Sequence, residues 1–117
     1  REQIVKTLIA AGLPVVAVPV WCVWKTAGGK AGCVVQHNAD EVDRIAARGW
    51  IPLLHGDVVT DTHQGVAILS GDTIIHELCR HIPSLKRAVF LTDVDGVFDH
   101  DPAEPGARRI AEVRVRG

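Results

Sequence analysis

The sequence predicts an α/β fold in which a mainly parallel sheet is covered by helices on both faces. Helix-like and strand-like segments alternate along the 117 residues. Several strand-like segments are continuous apolar runs, which is typical of strands buried on both faces. The length suits one domain with a real core, so we expect residues 1–117 to lie within a single domain.

The first half of the chain begins with helix, strand and loop signals. Apolar residues at helical spacing predict a helix over Glu2–Ala11 that ends at Gly12. The β-branched run Leu13–Val18 predicts a buried strand. Three glycines, two lysines and two tryptophans lie in Trp21–Gly32, and we expect this segment to be an irregular loop that lines a site. Its Trp21 and Trp24 favour a greasy substrate, with core packing as the alternative explanation.

The middle of the chain continues the alternation. Asn38 is suited to cap a helix over Ala39–Arg48, because its side chain can accept from a free backbone N–H group. The stripe of apolar residues in this helix is expected to face inward. Trp50–Leu54 then predicts a strand.

The second half contains a hairpin, a helix and a last strand. Val58–Gly65 predicts the hairpin, with its turn at Asp61–Gln64, and Val66–Leu69 predicts the next strand. The helix after it should reach about His81, with Ile75, Leu78 and Cys79 inward. Ala88–Leu91 predicts a continuous apolar strand.

Composition excludes several classes of protein. The formal net charge is −1, so no electrostatic feature favours nucleic acid or an anionic membrane surface. No apolar run is long enough to cross a bilayer. The three cysteines form no CxxC pair and the six histidines are scattered, so we expect no protein-bound metal and a reducing, cytoplasmic setting.

Three polar loops directly follow predicted strands: His55-Gly56-Asp57, Ser70-Gly71-Asp72 and Thr92–Gly96. Ligands of open α/β sheets bind at the carboxyl ends of the strands. If the strands are parallel, the three loops share one edge of the sheet, and we expect the site there.

Ser70-Gly71-Asp72 joins a strand to a helix. Glycine permits close approach of a ligand to the backbone, and the free N–H groups at the start of a helix suit a phosphate. Asp72 fits such a site only if it holds cationic groups that touch the phosphate. The alternative is a plain helix cap.

Thr92-Asp93-Val94-Asp95-Gly96-Val97 places two carboxylates after an apolar strand. They are suited to hold Mg²⁺ through water, to contact a ribose or to order the loop, and a solvated turn is the alternative. The GxxxxGK[ST] and GxGxxG phosphate loops are absent, and so is a Gly-x-Ser-x-Gly elbow.

These segments together resemble the amino acid kinase superfamily. The resemblance rests on Pro52–Val59, which contains HGDVV, on Gly65–Thr73, which contains ILSGDT, and on Phe90–Phe98, which contains FLTDVDGV. The last motif is shared across the superfamily, whereas the first two favour its isopentenyl phosphate kinase branch. The match is weakest in Trp21–Gln36 and after Asp101.

The resemblance implies a three-layer kinase fold and ATP-dependent phosphorylation of isopentenyl phosphate to isopentenyl diphosphate, with ATP and Mg²⁺ as cofactors. The resemblance implies that the binding partner is a small isoprenoid monophosphate. It does not decide whether the protein forms a homodimer. Such catalysis depends on positioning and charge neutralisation.

The same resemblance implies roles for seven residues. Asp72 would orient catalytic lysines, and Ser70 and Gly71 would contact the substrate phosphate. Thr92, Asp93, Asp95 and Gly96 would form part of the nucleotide site. His55 lies in a different motif from the histidine that the family uses, so we expect a structural role for it.

The family pattern also includes parts that these 117 residues lack. They are a glycine-rich loop with a lysine, a glycine-rich turn ending in histidine, and a later nucleotide-contacting segment. We therefore expect the chain to be the central part of one kinase domain and to be inactive alone. Two alternatives remain: an acetylglutamate, aspartate or uridylate kinase-like enzyme, and a noncatalytic nucleotide-binding module.

Overall fold

The computed structural model describes residues 2–28 and 33–114 and contains three helices and six strands in that part of the chain. The helices are α1 (Glu2–Ala10), α2 (Ala39–Ala47) and α3 (Gly71–His81). The strands are β1 (Val15–Ala17), β2 (Lys25–Thr26), β3 (Val34–Gln36), β4 (Ile51–Leu53), β5 (Asp57–Asp61) and β6 (Gly65–Leu69). None of the described helices is both long and apolar enough to span a membrane.

The strands form two sheets. β1 pairs with β4 in parallel, with Val15 opposite Ile51. The second sheet has the order β3-β2-β5-β6, in which β2 and β5 are parallel and the other two pairings are antiparallel. The α/β class is confirmed, and its described pairings divide equally between parallel and antiparallel.

Glycines end the first two helices as the sequence predicts. Gly12 follows α1 with φ +84° and Gly49 follows α2 with φ +88°, a conformation that glycine adopts at no steric cost. Each glycine turns the chain directly into a strand, so that α1 leads into β1 and α2 into β4. Both strands therefore run in the same direction.

Asn38 lies at the N-cap position of α2, but its side chain does not cap the helix. Its Oδ1 accepts instead from Trp24 Nε1 at 2.7 Å. The ring nitrogen Nδ1 of His37 takes over part of the capping and accepts from the Ala39 backbone N–H at 3.1 Å. The buried indole of Trp24 needs an acceptor for its only N–H donor. The Asn38 side chain serves as that acceptor and therefore does not cap α2.

The core lies where α2 and α3 meet the strands. Trp24 is fully buried at its centre. It packs with buried apolar side chains from α2, β5, β6 and α3, from the segment after β1 and from the C-cap of α3: Val18, Val20, Ala39, Val42, Val59, Leu69, Ile74, Leu78 and Ile82. This placement decides between the two explanations for Trp24 in favour of core packing.

Three further sequence predictions are corrected by the structure. Trp21–Gly32 is not wholly irregular, because β2 lies within it; the remainder of that prediction at residues 29–32 falls outside the described residues. In α3, Ile74 and Leu78 are buried while Cys79 is exposed. The buried face is therefore centred about one residue earlier than the predicted face of Ile75, Leu78 and Cys79.

The third correction concerns Ala88–Leu91, which is not a strand. None of the six described strands pairs with this segment. A strand forms only where a neighbouring strand accepts its backbone hydrogen bonds. Val89, Phe90 and Leu91 are accordingly exposed, with Leu91 at 96%.

Candidate active site

The β5–β6 hairpin brings two of the three polar loops together. Asp57 pairs with Leu69 at the open end of the ladder, so Gly56 comes to lie beside Ser70. A β-carbon added to Gly56 would be 2.9 Å from the Leu69 carbonyl oxygen and 3.1 Å from the Gly71 nitrogen. The two loops therefore touch through their backbones, and glycine is required for that approach.

Ser70 caps α3 with its side chain. Its Oγ accepts from the Thr73 backbone N–H at 3.3 Å and lies 3.1 Å from Thr73 Oγ1. The cap that the sequence offered as an alternative is thus present. It does not exclude ligand binding, because a helix leaves several N–H groups free at its start.

Gly71 and Asp72 supply those free N–H groups. Neither backbone N–H donates to another group within the described residues. Gly71 is exposed, and no atom lies within 4 Å of the position that a β-carbon would occupy. An anion therefore has open access to the start of α3, where the helix dipole also favours it.

The Asp72 carboxylate lies in the exposed first turn of α3. It makes no ion pair within the part of the chain that the structure describes. Asp72 contributes to a cavity of about 460 Å³, which is also lined by Ile75, His76, Cys79, Ala88 and Phe90. This cavity connects α3 with the segment that leads into Thr92.

The Thr92–Gly96 loop is exposed and is held by its own neighbours rather than by the other two loops. The Thr92 hydroxyl donates to Asp93 Oδ1 at 3.5 Å. Gly96 has φ +144° and packs against the side chain of Arg109. An isolated antiparallel bridge between Phe98 and Arg109 closes the following segment.

Asp99 supports that segment at its base. Its Oδ1 accepts from the Arg108 backbone N–H at 2.8 Å and lies 2.7 Å from His100 Nδ1. These contacts, the backbone donor first, lower the pKa of Asp99 below its usual value. The loop thus has an ordered base, while the carboxylates of Asp93 and Asp95 face solvent.

His55 bonds within its own loop. Its Nδ1 lies 2.6 Å from the Gly56 carbonyl oxygen, which can only accept, so Nδ1 carries the proton. His55 also lines a polar cavity of about 610 Å³ together with Asp57 and three residues of α1, namely Glu2, Gln3 and Lys6. The expected structural role of His55 is in keeping with this contact.

Asp61 organises the far end of the hairpin; its place in the turn was predicted from the sequence, but its role was not. Asp61 Oδ2 accepts from Thr26 Oγ1 at 2.7 Å. Its Oδ1 accepts from the backbone N–H groups of Gly28, His63 and Gln64 at 3.2, 2.8 and 2.8 Å. The Thr26 hydroxyl, followed by these backbone donors, holds the pKa of Asp61 far below its usual range. An aspartate opening a turn before glycine is the signal that could have revealed it.

An apolar patch next to Ser70 was also missed. Val58, Val66 and Ile68 form this patch, and their exposed fractions are 44%, 56% and 81%. Val58 lies directly opposite Ile68 in the ladder. Since side chains two apart share a face of a strand, the patch lies on the same face as Ser70. The continuous apolar run in Gly65–Leu69 carries no alternation that would have shown which face is exposed.

The described residues offer no built metal site. No three His, Cys, Asp or Glu side chains in residues 2–28 and 33–114 converge in a way that could hold an ion. The Mg²⁺ expected with ATP therefore has no cage of protein ligands in this part of the chain. Mg²⁺ in kinases is commonly bound through substrate phosphates, and we assign no step to it here.

The chain is similar to known proteins in family, sequence and structure. The family model described as "Amino acid kinase family" matches residues 1–116. Isopentenyl phosphate kinase of Arabidopsis thaliana is 38% identical over 116 residues, which is 97% of this chain and 34% of that protein. Glutamate 5-kinase of Corynebacterium efficiens is 39% identical over 98 residues, which is 82% of this chain and 26% of that protein.

The similarity extends to structure. An X-ray structure of isopentenyl phosphate kinase matches with a TM-score of 0.80 and 28% identity, over 92% of this chain and 43% of that chain. This chain thus spans about a third of the length of its Arabidopsis relative and about two fifths of the matched structure.

Proposed function

The chain belongs to the amino acid kinase family, and from that membership we propose that the protein carrying it transfers a phosphoryl group from ATP to isopentenyl phosphate. The family makes it part of a phosphotransferase. The choice of acceptor rests on one observation, which is the apolar patch beside the Ser70-Gly71-Asp72 turn.

The patch and the turn together suit a prenyl monophosphate. Ile68 precedes Ser70 by two residues on the same strand face, which corresponds to roughly 7 Å along a strand. A phosphate at the free N–H groups of Gly71 and Asp72 would therefore place a short hydrocarbon chain over Ile68 and Val58. The exposed apolar area of these side chains would be covered by that chain, which is favourable.

Asp72 is proposed to act through cationic side chains. A carboxylate beside a phosphate site repels the substrate unless it is neutralised. In our proposal Asp72 orients lysines supplied by the protein outside these 117 residues, and those lysines neutralise the phosphoryl group in transfer. Stabilisation of this kind acts on the charge of the transition state.

The nucleotide is proposed to bind at the Thr92–Gly96 loop. Asp93, with Thr92, Asp95 and Gly96 shaping the loop, would contact ATP from the side of the Asp72 cavity. Ala88 and Phe90, which line that cavity, provide the physical connection between the two loops.

A glutamate kinase is the second candidate, because the similarity to glutamate 5-kinase reaches 39% identity. Glutamate carries charge at both ends and would leave the apolar patch uncovered. The patch therefore favours the prenyl acceptor.

The test measures ADP release by the protein carrying this chain, with ATP and either isopentenyl phosphate or glutamate as acceptor. We expect kcat/KM to be at least about 100-fold higher with isopentenyl phosphate, because the wrong acceptor leaves binding groups unsatisfied. Preference for glutamate would overturn the assignment of the acceptor. ATP binding without transfer to either acceptor would favour a noncatalytic module.

A further inference from the structure

A second pocket lies away from the candidate active site, and we call it the Trp50 pocket. It has a volume of about 400 Å³, which is within the usual range for small-molecule sites. Its lining comes from β1, from α2 and from the residue that precedes β4: Val16, Glu41, Arg44, Ile45, Arg48 and Trp50.

The fold presents these residues for local reasons. Positions 41, 44, 45 and 48 are spaced by three or four residues along α2, so their side chains share one helix face. Gly49 then turns the chain back, and the Trp50 backbone N–H donates to the Ile45 carbonyl oxygen at 3.2 Å. This bond places the Trp50 side chain beside the helix face it follows.

The pocket combines an apolar floor with an unpaired cation. Trp50 is the largest side chain that lines the pocket, and it is 50% exposed. Of the two arginines that line the pocket, Arg44 is in ion-pair contact with Glu41, whereas Arg48 has no ion-pair partner among the described residues. Arg48 also lies at the C-cap of α2, where the helix dipole stabilises a positive charge.

The pocket is separate from the Ser70-Gly71-Asp72 turn. Trp50 precedes β4 and Gly56 follows it, so the two sites lie toward opposite ends of that strand. The pocket lining shares no residue with that turn, and we give the pocket no part in the phosphoryl transfer proposed above.

We propose that the Trp50 pocket binds a small organic anion, with its apolar or planar body against Trp50, Ile45 and Val16 and its phosphate or carboxylate on Arg48. An arginine fork suits either oxyanion. The indole face gives a planar or hydrocarbon body a large contact area. The proposal is independent of the reaction and of its acceptor.

The experiment uses ¹⁹F NMR of the protein carrying this chain, labelled with 5-fluorotryptophan. The signal that disappears in Trp50→Phe is that of Trp50. Phenyl phosphate is the probe, inorganic phosphate and phenol are its two halves, and each is titrated separately. Arg48→Gln removes the cation, and Arg87→Gln removes an exposed arginine that lies outside the pocket.

We expect the Trp50 signal to shift saturably with phenyl phosphate. Inorganic phosphate and phenol should shift it only at higher concentrations than phenyl phosphate does. Arg48→Gln should weaken phenyl phosphate binding by about 10- to 100-fold, the usual value of one charged hydrogen bond, and Arg87→Gln should leave it unchanged. A Trp50 signal that does not move, equal affinity in Arg48→Gln, or phenol binding as tight as phenyl phosphate would each overturn the proposal. Because Arg48 is exposed, loss of folding does not confuse the result.

Discussion

Gly56→Ala tests whether the two glycine-containing loops form one site. The added methyl group would meet backbone atoms on β6 and at the start of α3: the Leu69 carbonyl oxygen at 2.9 Å, the Gly71 nitrogen at 3.1 Å and the Ser70 Cα at 3.4 Å. Backbone atoms cannot rotate away as a side chain can. Either the His55–Asp57 loop or the start of α3 must therefore move.

The size of the movement follows from these distances. Non-bonded carbon contacts are most favourable at about 3.5–4.0 Å, so the closest contact has to open by roughly 0.5 Å. Overpacking of this kind costs about 1–3 kcal/mol of unfolding free energy. A displacement of 1 Å at a reacting group costs on the order of 100-fold in rate, so half that displacement predicts a loss of about tenfold in kcat/KM.

Denaturant unfolding and ADP release measure the two effects in the same preparation. Gly71→Ala is the matched variant, because it adds the same methyl group one residue beyond Ser70, where no atom lies within 4 Å. It should leave the free energy of unfolding unchanged or slightly higher, since alanine is the better helix former. It should nevertheless raise KM for the phosphate acceptor by obstructing access to the helix start.

An unchanged free energy of unfolding in Gly56→Ala would refute the close backbone contact between the two loops. Destabilisation with unaffected kcat/KM would show that this contact is structural only. A loss of activity in Gly56→Ala together with full activity in Gly71→Ala would exclude the start of α3 as the phosphate site.

Three further predictions concern side chains. Asp72→Asn should lower kcat by at least about 100-fold, as the loss of an electrostatic stabiliser does, with little change in unfolding free energy because Asp72 is exposed; wild-type kcat would refute its role. Ile68→Asn should raise KM for isopentenyl phosphate about tenfold and leave KM for ATP unchanged, because the contact with the prenyl chain is lost; equal changes in both would refute the apolar contact. Asp61 has a pKa below its unfolded value, so it stabilises the fold above the usual aspartate pKa of about 4 and loses that effect as pH falls. The difference in unfolding free energy between the natural protein and Asp61→Asn should therefore be largest at neutral pH and narrow in acid; a difference that does not narrow would refute the assignment.

Local signals predicted much of the fold. Gly12 and Gly49 end helices because each adopts a positive φ, which the sequence reveals directly. Two short runs rich in β-branched residues, separated by polar turn residues before Gly65, located the hairpin and its turn. The family predicted from the three motifs was also correct, because the amino acid kinase family model matches residues 1–116.

Tertiary competition explains where the sequence predictions failed. The Asn38 cap was wrong because Trp24, 14 residues earlier, takes the same oxygen. The strand at Ala88–Leu91 was wrong because an apolar run does not reveal whether a neighbouring strand exists. β2 was missed because a strand of two residues is too short to show a pattern of apolar and polar residues. In each case the residues that decide the outcome are distant in sequence, whereas propensity reflects only local sequence.

Hairpin register connects the stability of this chain with its proposed specificity. A slip of one residue would exchange the two faces of a strand, so that Val58 and Ile68 would turn away from Ser70. The turn sets that register, and Asp61 fixes the turn through the N–H groups of His63 and Gln64. Under the proposed function, Asp61 would therefore help to set which side chains reach the acceptor, although it lies at the far end of the ladder from Ser70. A substitution there should loosen the selection of the acceptor before it affects the binding of ATP.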